Sequence, residues 1–73
     1  MSMFDRITFD SKIMGGRACI RGMRIPVSVI VSHIADGASF DEVLREFPAL
    51  EREDVRQALG YAAALTRDEV IAS

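Results

Sequence analysis

The chain has 73 residues, 49% of them hydrophobic, with one cysteine, one histidine and no tryptophan. That length sets a single small domain, 1–73, and one cysteine excludes an internal disulfide framework, which leaves oligomerisation as the expected staple and a homodimer as the expected state. The formal net charge of −2 is unevenly spread: residues 1–36 hold five basic and three acidic side chains, residues 37–73 four and eight, so an anionic partner is expected to meet the first half.

Arg6-Ile7-Thr8-Phe9-Asp10 alternates polar and apolar residues and predicts a short strand with Ile7 and Phe9 turned inward. Gly15-Gly16 marks a turn. Ala18–Arg21 and Arg24–Val27 then flank Gly22-Met23, which predicts a hairpin with a two-residue loop of the II′ type. Its register sets Ile20 opposite Ile25 in the core and Arg21 opposite Arg24 in solvent. Pro26 ends this strand and suits the first turn of a helix. The β element therefore occupies residues 1–26 and a helical part residues 27–73.

Val27, Ile30, Val31 and Ile34 repeat at helical spacing, and Gly37 is a stop signal, giving a first helix over 27–36. Ser39-Phe40-Asp41-Glu42 is a capping box. It opens a second helix over 39–46 whose apolar stripe is Phe40, Val43, Leu44 and Phe47, and Pro48 ends it. A third helix spans 51–70, with acid at its start and Val55, Leu59, Ala62 and Leu65 on its buried face, joined by Leu50 ahead of it. Gly60 within it suggests a close approach by another helix. The fold class is mostly α: a short N-terminal strand and hairpin, then a three-helix unit whose last pair resembles a helix-turn-helix.

The chemistry-bearing residues point away from catalysis. Gly15-Gly16-Arg17 lacks the Lys-Ser/Thr and following helix of a phosphate loop. Cys19 has only His33 as a conceivable base, and both read as packing residues. One cysteine and one histidine are too few for a zinc site, and most carboxylates fall at helix starts. A non-enzyme without cofactor or metal is expected. The apolar runs are too short to span a membrane, the start lacks a signal-peptide pattern, and the unpaired cysteine fits a reducing compartment, so a cytoplasmic protein is expected.

Two cationic groups remain as binding candidates. At the start of the third helix Arg52 and Arg56 could contact phosphates or bases and Gln57 could read adenine. The neighbouring Glu51, Glu53 and Asp54 oppose them, because DNA affinity rests largely on neutralising phosphates. In the hairpin, Arg17, Arg21 and Arg24 form either a solvated edge or an anion-facing patch.

The run Gly-Gly-Arg-Ala-Cys-Ile-Arg-Gly-Met-Arg-Ile-Pro-Val, followed by Asp-Gly-Ala-Ser-Phe-Asp-Glu-Val-Leu and Phe-Pro-Ala-Leu, resembles the small prokaryotic proteins grouped as domain of unknown function 433. The resemblance runs from about Arg6 to Arg67. Where the family pattern has lysine, proline and threonine, this chain has Arg17, Ala18 and Met23. Glu51 stands where the family often caps the last helix with Thr or Ser. The resemblance implies a helix-turn-helix-like fold with a short β element, and the antitoxin role in a toxin–antitoxin pair with a PIN-like ribonuclease. On that footing Arg17, Arg21 and Arg24 would enter the nuclease's acidic pocket, since arginine pairs bidentately with carboxylates. Operator DNA is a further expected partner, through autoregulation. The alternatives are a stand-alone DNA-binding regulator and an unrelated protein-interaction module.

Overall fold

A computed structural model describes residues 4–70, with side chains through Thr66. Reading 1–73 as one domain extends beyond those residues at both ends. Two short antiparallel strands, β1 (Ile7–Phe9) and β2 (Ala18–Ile20), precede three helices, α1 (Val27–Ala35), α2 (Phe40–Glu46) and α3 (Arg52–Val70). The mostly α class with an N-terminal hairpin is thus what the chain forms, and the three helices fall within a residue of their predicted bounds.

The hairpin itself differs from the predicted one. β2 pairs with β1, in the register Ile7↔Ile20, Thr8↔Cys19, Phe9↔Ala18. The 18–27 pairing is reduced to one bridge, Cys19↔Pro26, and a hydrogen bond from the Ile20 amide to the Ile25 carbonyl at 3.1 Å. That keeps the predicted register, but the turn sits one residue earlier. The Met23 amide donates to the Ile20 carbonyl at 2.8 Å, so Arg21 and Gly22 are the central residues, with φ of 45° and 72°. Two positive φ values are the sign pattern of a type I′ turn, which matches strand twist and wants glycine at its second position. The Thr8 hydroxyl fastens this tip by accepting the Gly22 amide at 2.8 Å.

β2 runs between β1 and the Ile25–Pro26 segment, and Cys19 and Ile20 are both buried although they point to opposite faces. They join Ile7, Val27, Ile30, Val43, Leu50, Val55 and Ala58 among the buried apolar residues. Phe9 departs from expectation: it is 61% exposed. It shares a face with Ile7, but the ribbon runs past the edge of the core before reaching it, and its ring lies 6.0 Å from Tyr61. Leu65 is likewise exposed, at 65%, because α3 outruns the elements packed on it.

The helix ends follow their signals. At the end of α1 the Gly37 amide donates to Ile34 and the Ala38 amide to His33, both at 3.0 Å, with Gly37 at φ 103°. This is a Schellman stop, which needs the left-handed conformation that glycine adopts freely. At the start of α2 the Glu42 amide donates to the Ser39 hydroxyl at 3.1 Å, and the Ser39 amide to the Glu42 carboxylate at 2.8 Å. That return bond holds the Glu42 carboxyl below its ordinary pKa. Gly60 meets no helix. A Cβ there would lie 3.1 Å from the Phe4 ring, so the close approach it permits is that of the N-terminal segment.

Candidate functional site

The ribbon's register continues beyond its named strands and sorts the charges at its two ends. At one end the Arg21 amide donates to the Arg6 carbonyl at 2.8 Å, so two arginines face each other across the ladder. Opposed like charges are unfavourable in a sheet. Asp54, the third residue of α3 and fully buried, resolves the conflict. Arg21 grips it with two hydrogen bonds, Nε to Oδ1 at 3.0 Å and a terminal nitrogen to Oδ2 at 2.8 Å. Arg6 adds a bond to Oδ1 at 3.1 Å and another to Glu51 at 2.6 Å. Asp54 also accepts the Glu51 amide at 2.7 Å, half of a capping box, which compensates for the absence of Ser or Thr at residue 51. Burial alone pushes the Asp54 carboxyl up, but the bonds from Arg21, the Glu51 amide and Arg6 outweigh it and hold the carboxyl below its ordinary range.

Arg21 is therefore an internal clamp. It also donates to the Ala49 carbonyl at 2.8 Å, which ties the hairpin tip to the turn before α3. Its side chain stays 37% exposed, as predicted, but its guanidinium is spent on Asp54 and Ala49. Sequence reasoning treated Asp54 as one of several helix-start acids and missed Arg6. The readable signal was the Asp54 spacing, three residues after the helix cap.

The three residues proposed to read DNA are all engaged within the chain. Arg52 bonds Asp41 at 2.6 Å and sits over the Phe40 ring, 5.5 Å from its centre. Arg56 makes a two-pronged pair with Glu53, which lowers the Glu53 carboxyl to about 2 with help from Gln57. Gln57 is buried. Its carbonyl accepts the Arg6 amide at 3.0 Å, and its amide nitrogen reaches Asp5 at 2.9 Å and Glu53 at 3.1 Å. A side chain so occupied has no free donor–acceptor pair to offer a base edge.

Arg17 and Arg24 are different. Both are exposed, and among the described residues neither side chain has a hydrogen-bond or ion-pair partner. Arg17 stands at the rim of an open groove of about 670 Å³. Val27 and Val31 of α1, Tyr61, Ala62 and Leu65 of α3, and Phe9 form most of its wall, with Ser28 and Ser32 as polar points. Such volume and lining suit an apolar side-chain cluster with a few polar contacts. Cys19 is buried, and His33 Nδ1 lies 2.9 Å from the Val29 carbonyl with its ring edge-on to Phe47. Both are built into packing. Among the described residues no three His, Cys, Asp or Glu side chains converge where a metal ion would sit, and no helix is long and apolar enough to cross a membrane.

The model of a family described as protein of unknown function (DUF433) matches residues 7–62. The match therefore takes in the ribbon, Arg21 with Asp54, and all of the groove's lining except Leu65, and begins just after Arg6. The uncharacterized protein y4eO of Sinorhizobium fredii (strain NBRC 101917 / NGR234) is 36% identical over 58 residues, which are 80% of this chain and 26% of that protein. The chain thus spans about a quarter of that curated relative. The crystal structure of a DUF433 member from Anabaena variabilis ATCC 29413, at 2.00 Å resolution, superposes with a TM-score of 0.75 and 34% identity. It covers 94% of this chain and 70% of that one.

Proposed function

The chain belongs to the DUF433 family, and within it we propose a non-enzymatic binding protein of the antitoxin type that neutralises a PIN-like ribonuclease in the cytoplasm. One observation carries the reading. The cations of the α3 start are already neutralised by Asp41 and Glu53, whereas the guanidinium groups of Arg24 and Arg17 in the first half have no partner among the described residues. A guanidinium without a partner is suited to carboxylates, and a nuclease that holds divalent metal with carboxylates presents them in a cluster. Arg21 leaves the set of contact residues, because moving it would break the clamp on Asp54. Arg24, three residues beyond Arg21 in the loop that follows β2, becomes the leading contact.

A second reading, a stand-alone DNA-binding regulator, is favoured by the outline of α2, the turn over 47–51 and α3. It asks Arg52, Arg56 and Gln57 to give up their present partners, and it places Glu51 and Glu53 against phosphates. Autoregulatory DNA binding by a complex, with cations supplied by the partner, avoids that cost.

Tagged full-length chain, wild type and Arg24→Glu, is recovered from native extract with and without nuclease treatment. The antitoxin reading expects a carboxylate-site nuclease with the wild type in both conditions and its loss with Arg24→Glu. Recovery of DNA alone, lost on nuclease treatment, overturns it in favour of the regulator.

A further inference from the structure

We infer that the groove between α1 and α3 is closed by the same face of a second copy of this chain, about a two-fold axis. The argument begins with the ribbon's open end. One step beyond the Phe9↔Ala18 pair, the register brings Asp10 opposite Arg17. Both are exposed, and they form no ion pair with each other; the Asp10 carboxylate accepts only the Lys12 amide, at 2.9 Å, and the Arg17 guanidinium has no polar partner among the described residues. A two-fold contact requires a patch that complements itself. This one does: it offers one cation, one anion and an apolar surface. Face to face, Arg17 of each copy meets Asp10 of the other while the two apolar walls close together.

The apolar content supports the same occupant. Phe9 and Leu65, two of the three exposed large hydrophobic residues among the described residues, both line this groove. A folded unit with a core this small gains from covering such a patch. A different protein would need only Arg17 answered by an acid. The presence of Asp10 beside it favours a second copy, because a purely acidic partner surface would be repelled there. The assignment also divides Arg17 from Arg24. Arg17 serves self-association, and the dimer presents two Arg24 side chains to any further partner.

The test is sedimentation equilibrium of the full chain over about 1–200 μM, with Phe9→Ser, Leu65→Ser, Arg17→Asp and the swap Asp10→Arg with Arg17→Asp. Phe9 and Leu65 are exposed in the single chain, so helix content by circular dichroism is expected to be unchanged at low concentration. The wild type is expected to reach twice its 8.1 kDa mass. Each apolar substitution occurs twice in a two-fold dimer and is expected to raise the dissociation constant about 100-fold. Arg17→Asp is expected to raise it about 10-fold, and the swap to return it to within about 3-fold of wild type. A wild type that stays monomeric, a dimer indifferent to Phe9→Ser and Leu65→Ser, or a swap that fails to rescue would each overturn the inference. A monomer that still captures a nuclease through Arg24 overturns this inference alone and leaves the proposed function standing.

Discussion

The two ends of the β ribbon make opposite uses of charge. At the Arg6–Arg21 end, two like charges are opposed, and a buried carboxylate from α3 absorbs both. At the Asp10–Arg17 end, two unlike charges are opposed and do not pair, and the apolar groove beside them is open. The first end is complete within one chain. The second has its polar and apolar groups still to be matched. Charge that is matched inside the molecule holds the fold, and charge left unmatched beside exposed hydrophobic surface is available for recognition.

Removing Asp54 is the most severe way to break the contrast. Asp54→Ala takes away the buried carboxylate shared by two guanidinium groups and the return half of a helix cap, and is expected to destabilise by about 3 kcal/mol. For a domain of this size that lowers the melting temperature by about 12 °C or more, measured by thermal denaturation. Arg21→Lys is the next largest change. It keeps the charge but loses the two-pronged grip, and with the side chain partly exposed a loss of about 1 kcal/mol is expected from urea denaturation. A stability equal to wild type would mean that charge alone matters at the clamp.

Acid gives the most gradual effect. The carboxyls of Asp54, Glu53 and Glu42 are all held below their ordinary range in the folded chain. Between their unfolded values, about 4, and their lower folded ones, the unfolded state binds more protons. Their contribution is therefore present in full above about pH 5 and is lost as pH falls, down to about 2 for Glu53. Urea midpoints measured from pH 6 to pH 2 should follow that decline, and Asp54→Asn should flatten it.

Most of the architecture was legible. Helical spacing placed all three helices, because each carries a stripe, a cap or a stop whose cause is local: Ser39 with Glu42, Gly37, Pro48. The ribbon was harder. The predicted loop at Gly22-Met23 and the observed turn at Arg21-Gly22 both leave Ile20 opposite Ile25, and they differ in where the turn is centred and in Arg21 taking positive φ. That choice is settled at a distance, since Arg21 at φ 45° is held by Asp54, 33 residues away. Phe9 was misplaced for a similar reason. Alternation tells which face a residue takes, but where the core beneath that face ends depends on how far the packed helices reach. For the candidate site, Arg17 and Arg24 were legible as exposed cations. The engagement of Gln57 with Asp5 and Arg6 was not, because it joins residues 52 and 51 positions apart.

That separation has a kinetic side. The bonds on Asp54 from Arg21 and Arg6 close stretches of 33 and 48 residues, against the short reach of the helix caps. Long closures cost entropy before any contact repays it, so such bonds belong late on the folding route, after the helices and their caps. A contact absent from the transition state governs how fast the native state is lost and leaves the rate of its formation almost unchanged. Asp54 thus acts as a latch on a finished structure: it sets the lifetime of the joined ribbon and helix, and through them how long the open end is held in shape for a partner to find.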